Sequence, residues 1–228
     1  MPENSDPVFP ITGASTGIGA ATARAATEAG YRVVLAARST DKIEALAEEL
    51  DGLAVTCDVT EWEQQQNLVK TALDAYGRID VAFANAGFGG PRGFDKGDHE
   101  EWKAMVLTNV YGAALTIRAT MEPLKETKGH LLLTGSVAGR RALQGSLYSA
   151  TKWAVTGMGE SARQDFNDTG VRVTVIEPGM TDTPFFDTPP EIEALHPEDI
   201  ARAVMFAVQQ PPHMDVNEIL IRPTAQPN

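Results

Sequence analysis

Short runs of apolar residues alternate with helical patterns along the chain. The β-type runs cover residues 8–12, 31–37, 53–57, 79–84, 131–134, 171–176 and 217–221. Pro10 lacks an N–H donor, so the first of these strands is expected to be short or irregular at its start. Strands that alternate with helices in this way are typical of a parallel sheet covered on both faces. The pattern predicts an α/β protein with a doubly wound, seven-stranded parallel sheet.

Helical patterns fill the intervals between these runs. The predicted helices run from the turn after the first strand to about residue 29, and then cover residues 40–50, 60–76, 100–126, 147–168 and 198–209. Thr60 and Asp98 each precede a glutamate by three positions, a capping pattern that predicts helix starts. The middle of the longest helix, residues 106–117, is too apolar for a solvated face. Either the sheet or another subunit must therefore cover it.

Composition narrows the classes of function. The 228 residues carry a formal net charge of -12, which argues against a nucleic-acid surface and against binding to an anionic membrane. Cys57 is the only cysteine, so no intrachain disulfide can form, and the four histidines lack ligand-like spacing. We therefore assign no metal. We expect a single dinucleotide-binding and catalytic domain over residues 1–228.

The chain shows no targeting pattern. The N-terminal residues lack the positive and apolar regions of a signal peptide. No run of about 18 apolar residues occurs. We expect a soluble, cytoplasmic protein.

A glycine-rich turn joins the first strand to the first helix. Its sequence is TGASTGIG, residues 12–19, with the spacing GxxxGxG. Glycines there let the backbone approach a pyrophosphate, which free N–H groups and the dipole of the helix N-terminus then stabilise. A tight turn without a ligand is the other interpretation of such a loop. The candidate cofactor contacts, which would make the sheet one of the Rossmann type, are Gly13, Ser15, Thr16, Gly17, Ile18 and Gly19.

The end of the second strand indicates which dinucleotide is preferred. An acidic side chain at this position bonds a ribose 2′-hydroxyl, whereas a cation accommodates a 2′-phosphate. The chain has Arg38 and Ser39 here and no carboxylate, so NADP(H) is favoured over NAD(H). Arg38 as a solvated surface residue is the alternative, and Thr16 means that a second cation in the glycine-rich loop is missing.

Tyr148 and Lys152 stand four residues apart in a predicted helix and so share one face. A phenol with a pKa of about 10 is a poor acid or base at neutral pH, but an adjacent ammonium lowers that pKa. Such a pair also occurs by chance on many helices. Ser136 strengthens the catalytic interpretation, because it follows the fifth strand at the edge where open α/β sheets bind ligands.

The order and spacing of these motifs resemble the short-chain dehydrogenase/reductase family over nearly the whole chain. Residues 12–19 resemble its cofactor loop, and Ser136 with the Tyr148 and Lys152 pair resembles its catalytic serine and YxxxK motif. The further matches are Asp58 and Val59 at the adenine, Asn85, Ala86 and Gly87 in the strand-four motif, Asn109 as the structural and catalytic asparagine, and Pro178, Gly179, Thr181 and Thr183 in the segment that closes on the nicotinamide carboxamide.

The resemblance implies an enzyme that transfers a hydride between nicotinamide C4 of NADP and a carbonyl or secondary alcohol. Tyr148 would exchange the proton and Ser136 would bond the substrate oxygen. Lys152 would hold the nicotinamide ribose and depress the Tyr148 pKa. Asn109 would kink the long helix and hold a water that links Lys152 to solvent.

The resemblance also implies a homo-oligomer, a tetramer or a dimer, formed through the two helices that carry Asn109 and Tyr148. Four small residues on the second helix are compatible with close helix packing: Ala150, Ala154, Gly157 and Gly159. Burial against the sheet explains them equally.

The C-terminal part, residues 197–201 and 217–224, resembles a bacterial subgroup that includes NADP-dependent 3-hydroxy-acid dehydrogenases of the serine type. In such an enzyme Arg140, Arg141 or Gln144 would meet a substrate carboxylate. Two surface arginines are the other interpretation.

A proline-rich stretch, about residues 183–197, is expected to be a loop that covers the substrate pocket. Phe185 and Phe186 either give that pocket an apolar wall or pack beneath the loop. The competing class of function is a non-catalytic NADP(H)-binding regulator or scaffold. Loss of a catalytic residue would mark it, and none is lost.

Overall fold

The computed structural model describes residues 6–185 and 192–226. They form one sheet of seven strands, all parallel, in the order β3-β2-β1-β4-β5-β6-β7. The strands are β1 Val8–Thr12, β2 Arg32–Ala37, β3 Leu53–Thr56, β4 Val81–Ala84, β5 His130–Thr134, β6 Arg172–Pro178 and β7 Glu218–Ile221. The predicted fold class is confirmed.

Helices cover both faces of the sheet. They are α1 Gly17–Glu28, α2 Thr40–Leu50, α3 Trp62–Tyr76, α4 His99–Val106, α5 Ala113–Thr127, α6 Leu147–Asp165 and α7 Pro197–Val208. Successive residues of β2 show the alternation, since Val33 belongs to the apolar core that includes α1, α2 and α7, while Val34 belongs to the core that includes α3, α5 and α6. Each face therefore has its own apolar core.

The order of the strands determines where the sheet forms a crevice for a ligand. From β1 the chain builds outward through β2 and β3, and then returns to add β4 on the other side of β1. The carboxyl ends of β1 and β4 thus border a crevice, which is where open α/β sheets bind ligands.

Pro10 does not shorten β1. The strand pairs with β2 along all five residues, including Pro10 with Val34, while its register with β4 rests on Ile11 and Phe83. The expected irregularity at the start of the strand is therefore wrong. Because β1 pairs only sparsely with β4, that side of the strand tolerates the missing N–H donor of Pro10.

Of the two predicted helix starts, one is confirmed. The Asp98 carboxylate accepts hydrogen bonds from the backbone of Glu100 and Glu101, as a helix cap does. The start at Thr60 is wrong, because α3 begins two residues later without a side-chain cap. The backbone N–H and hydroxyl of Thr60 instead donate to the Asp58 carboxylate.

The longest predicted helix is continuous but changes its geometry. A π-helical segment, Leu107–Gly112, separates α4 from α5 and contains Asn109, where the resemblance implied a kink. Past this segment Ala113 and Ile117 are buried in the core that contains residues of the sheet, whereas Leu107 and Tyr111 are exposed. The sheet thus covers the second half of residues 106–117 and leaves the first half open.

Cys57 lies buried in the core between β3 and α3, and this burial raises the pKa of its thiol to about 11. No helix among residues 6–185 and 192–226 is long and apolar enough to cross a membrane. The same residues contain no cluster of histidine, cysteine and carboxylate side chains that fits a metal ion.

Candidate active site

The glycine-rich loop is shaped for close contact with a ligand. Gly13 has φ +66°, and a Cβ there would lie 2.8 Å from the Ala86 Cα. A Cβ on Gly19 would collide with the Gly13 carbonyl oxygen. The N-terminus of α1, at Thr16, has no side-chain cap and no acidic residue in its first turn. Its free N–H groups and dipole suit a phosphate, so the loop fits the dinucleotide that the sequence predicts.

Asn85 fixes this loop to the sheet. Its Nδ2 donates to the carbonyl oxygens of Thr12, at 3.0 Å, and Gly13, at 3.3 Å. Its Oδ1 accepts the Thr134 hydroxyl at 3.0 Å. The Thr12 hydroxyl in turn accepts the backbone N–H groups of Asn85 and Ala86. One amide therefore connects the ends of β1, β4 and β5, and with them the phosphate loop and the catalytic strand.

The residues predicted to contact the adenosine half lie at the same edge of the sheet. Arg38 and Ser39 follow β2 and are exposed, so the guanidinium is open to a ligand. Asp58 follows β3, and its carboxylate accepts the Thr60 bonds described above. The Val59 side chain is buried close to Gly112 of the π-helical segment.

Tyr148 and Lys152 lie on the first turns of α6 and face the end of β5. The Lys152 ammonium donates to the Thr134 carbonyl at 2.7 Å and lies 5.6 Å from the centre of the Tyr148 ring. The Ser136 hydroxyl is close enough to the Tyr148 phenol to oppose the rise of its pKa. It also lies 3.4 Å from the Pro178 carbonyl oxygen and accepts the Ala138 N–H at 3.1 Å. The three predicted catalytic side chains therefore converge on one point.

Burial dominates the protonation of this pair. It raises the pKa of Tyr148 to about 12, and the hydrogen bond with Ser136 only partly opposes the rise. It lowers the pKa of Lys152 to about 8. The expected net depression of the Tyr148 pKa by Lys152 is therefore wrong for the protein alone. Removing water disfavours the charged form of both groups, and it is the largest cause of both shifts.

Asn109 anchors the loop that follows β4. Its Oδ1 accepts the Phe88 N–H at 3.0 Å, and its Nδ2 donates to the Phe88 carbonyl at 2.9 Å and to the Thr151 hydroxyl at 3.1 Å. A Cβ on Gly87 would lie 3.0 Å from Asn109 Oδ1 and 3.6 Å from Lys152 Nζ. The asparagine thus holds this loop through its carbonyl oxygen and one amide hydrogen, and its other amide hydrogen bonds Thr151 of α6. Its predicted role in holding a water stays a prediction.

The segment after β6 runs back to the glycine-rich loop. The Gly179 N–H donates to Ile221 at 2.6 Å, and the buried Thr181 hydroxyl donates to the Gly179 carbonyl at 3.1 Å. Thr183 packs on Gly17, where an added Cβ would lie 3.1 Å from the threonine methyl carbon. The residues predicted to close on the nicotinamide are therefore held at the cofactor edge.

The residues predicted to contact the substrate lie in different surroundings. Arg140 bonds the buried Glu177 carboxylate at 2.7 and 2.9 Å and also pairs with Glu218. Arg141 and Gln144 are exposed. Phe185 lies edge-on to the Tyr148 ring, with 5.5 Å between the ring centres. Phe186 lies outside the described residues, so its role stays a prediction.

Several residues of the site were not found from sequence. Thr12 and Thr134 position Asn85 and Lys152, and Glu177 engages Arg140. Gln226 accepts the Met180 N–H at 2.8 Å. For Glu177 a signal existed, because an acidic residue inside an apolar strand needs a buried partner.

Comparisons with known proteins agree with this geometry. The family described as short chain dehydrogenase matches residues 7–192. An uncharacterized oxidoreductase of Staphylococcus aureus is 37% identical over 226 residues, which are 96% of this chain and 98% of that protein.

Two solved structures are also similar. An alcohol dehydrogenase from the archaeon Thermococcus sibiricus, complexed with 5-hydroxy-NADP, has a TM-score of 0.91 at 33% identity over 97% of this chain and 98% of its own. The closed form of a serine dehydrogenase complexed with NADP+ has a TM-score of 0.92 at 28% identity over 97% and 96%. The protein described here belongs to the short-chain dehydrogenase/reductase family and is an oxidoreductase acting on CH–OH and C=O groups.

Proposed function

We propose that the chain is a single-domain, cytoplasmic, NADP-dependent oxidoreductase that interconverts a small carbonyl compound and its alcohol. The observation that carries the proposal is the convergence of Ser136, Tyr148 and Lys152 beside the glycine-rich loop. The bound dinucleotide would lie along the glycine-rich loop and Arg38, and supplies or accepts the hydride.

The chain's own residues handle the oxygen and the proton. A Tyr148 pKa of about 12 keeps the phenol protonated at neutral pH, so it is able to donate a proton to a carbonyl oxygen that gains charge. The Ser136 hydroxyl lies beside it and orients the same oxygen. The Lys152 ammonium stabilises the phenolate that remains. At neutral pH the resting phenol is therefore in the protonation state that carbonyl reduction requires.

The proposal is tested by NADPH binding followed by turnover. NADPH fluorescence gives binding, and oxidation of NADPH is then followed with aldehydes, α-diketones, ring ketones, 3-oxo esters and 3-oxo acids. We expect binding and turnover with at least one class. Binding without turnover of any class favours the non-catalytic regulator or scaffold instead.

A 3-hydroxy acid as the substrate remains the finer alternative within this function. It draws support from the similarity to the serine dehydrogenase. It needs a cation for the carboxylate, and Arg140, one candidate for that role, is already paired with two carboxylates.

Arg38→Ala is expected to raise KM for NADPH by roughly 10- to 100-fold, because a charge-assisted bond to the 2′-phosphate is lost. KM for NADH should change less than about threefold, since NADH has no phosphate at that position. Arg163→Ala, which removes an exposed arginine near the far end of α6, is the control. Equal effects of Arg38→Ala on KM for the two cofactors would show that Arg38 does not bind the 2′-phosphate.

We also propose a dimer or tetramer built on an exposed apolar face. The face consists of Val106, Leu107 and Tyr111 around the start of the π-helical segment, with Trp153 on α6. Gly159 does not belong to it, because a Cβ there would collide with Val175 of the sheet. Light scattering should show an oligomer, and Trp153→Glu should reduce its mass. A wild-type monomer at micromolar concentration would contradict the proposal.

A further inference from the structure

An aromatic ring lies on the catalytic tyrosine. Phe185 meets the Tyr148 ring edge-on at 5.5 Å. The Phe185 ring is also so close to Gly89 that a Cβ added to this glycine would lie 2.7 Å from Phe185 Cζ. The ring is still 39% exposed. A carbonyl that reaches the Tyr148 hydroxyl therefore has Phe185 beside one of its two substituents, and that neighbour is apolar.

The arginine that follows Ser136 most closely in the chain, Arg140, is already paired with two carboxylates. Arg140 follows the short 3-10 turn Val137–Gly139, which begins at Ser136. It bonds Glu177, which is 1% exposed, and pairs with Glu218. Turning Arg140 toward a substrate carboxylate would leave the buried Glu177 charge without its partner, which is unfavourable.

The sequence around Phe185 is rich in carboxylates and lacks cations. Asp182 and Glu193 are exposed on either side of the residues that lie outside the described part. In the sequence no lysine or arginine occurs between Arg172 and Arg202. A carboxylate on the substrate would approach a chain of net charge -12, and like charges repel.

We infer that the site takes an uncharged ketone or aldehyde with an apolar group on the side of Phe185, and that it discriminates against carboxylate-bearing substrates. The inference rests on the proposed function and names its substrate class. Phe185 supplies the apolar contact, and pairing of Arg140 with Glu177 removes the cation that an acid would need.

The test compares substrates that differ only in one charge. Acetoacetate and ethyl acetoacetate share the reacting ketone, as do benzoylformate and its methyl ester. With NADPH at saturation and low salt, we expect kcat/KM for each ester to exceed that for its acid by about 100-fold or more. Added salt should narrow the gap by improving the acid, since screening weakens like-charge repulsion.

Three variants test which residues cause this discrimination. Phe185→Ala should raise KM for methyl benzoylformate by about 10-fold or more, because the ring loses its apolar neighbour. Phe94→Ala, an exposed aromatic that packs on Trp102 instead, is the matched control. Arg141→Ala should leave the ratio of ester to acid unchanged.

Acids that are reduced as well as their esters would overturn the inference while leaving the proposed function intact. So would a selective loss of acid reduction in Arg141→Ala, because that arginine would then be binding the carboxylate. NADPH binding without turnover of any acid, ester, ketone or aldehyde would overturn the proposed function, and this inference with it.

Discussion

Tyr148→Phe is expected to lower kcat for carbonyl reduction by roughly 1000-fold, with the Kd for NADPH unchanged within about threefold. The substitution removes only the phenol oxygen. That oxygen is the proton donor of the proposed reaction, and its interaction with Ser136 is lost with it. The ring, its edge contact with Phe185 and its position over Lys152 should stay in place. Steady-state kinetics and NADPH fluorescence measure the two quantities separately.

Tyr76→Phe is the matched control. Tyr76 is also half-buried and its pKa is also raised by burial, but it lies on α3 at the far end of the sheet. The control should retain kcat within about twofold. A Tyr148→Phe enzyme that reduces carbonyls at nearly the wild-type rate, with NADPH bound, would refute the assignment of the proton donor.

The pKa values also predict how rate depends on pH. Reduction uses the protonated phenol, which persists up to a pKa of about 12. The rate of reduction should therefore stay constant as pH rises, until Lys152 loses its charge above its pKa of about 8. Alcohol oxidation needs the phenolate. Its rate should therefore rise with pH up to the Tyr148 pKa of about 12.

Local patterns in the sequence predicted most of the fold and the catalytic constellation. The strands, the i,i+4 spacing of Tyr148 and Lys152, and the position of Ser136 after β5 are properties of short segments. The parallel sheet brings such strand ends to one edge. Helical spacing, the strand end and the family resemblance therefore sufficed to predict that these side chains meet.

The contacts that the sequence did not predict join residues far apart in the chain. Asn85 meets Thr12 and Thr134 across 73 and 49 positions, and Arg140 meets Glu177 across 37. No local period encodes such pairs. The pKa values have the same origin, because the raised value of Tyr148 depends on how completely the assembled fold excludes water.

The second large effect concerns Lys152, whose burial makes it costly to the fold. Its pKa falls from 10.5 to about 8. A lysine with a depressed pKa destabilises the folded state while it is charged, here by about 3 kcal/mol below pH 8. This cost fades as pH rises from about 8 toward 10.5, because in that interval the unfolded chain binds more protons than the folded one.

Lys152→Met should therefore move stability and activity in opposite directions. Kcat should fall roughly 100-fold or more, because the phenolate of Tyr148 loses its neighbouring charge. The free energy of unfolding at neutral pH should rise by about 2 kcal/mol, the cost of the buried charge less about 1 kcal/mol for the lost bond to the Thr134 carbonyl. Urea denaturation should show this gain shrink by about 2 kcal/mol between pH 7 and pH 9.5.

Lys70→Met provides the comparison, since this exposed lysine of α3 is paired only at the surface with Asp74. It should change stability by less than about 0.5 kcal/mol and leave kcat unaltered. A less stable Lys152→Met protein whose activity fell only with its folded fraction would show that the ammonium serves the fold. A more stable and nearly inactive one would mean that the fold carries this buried charge for the reaction at Tyr148.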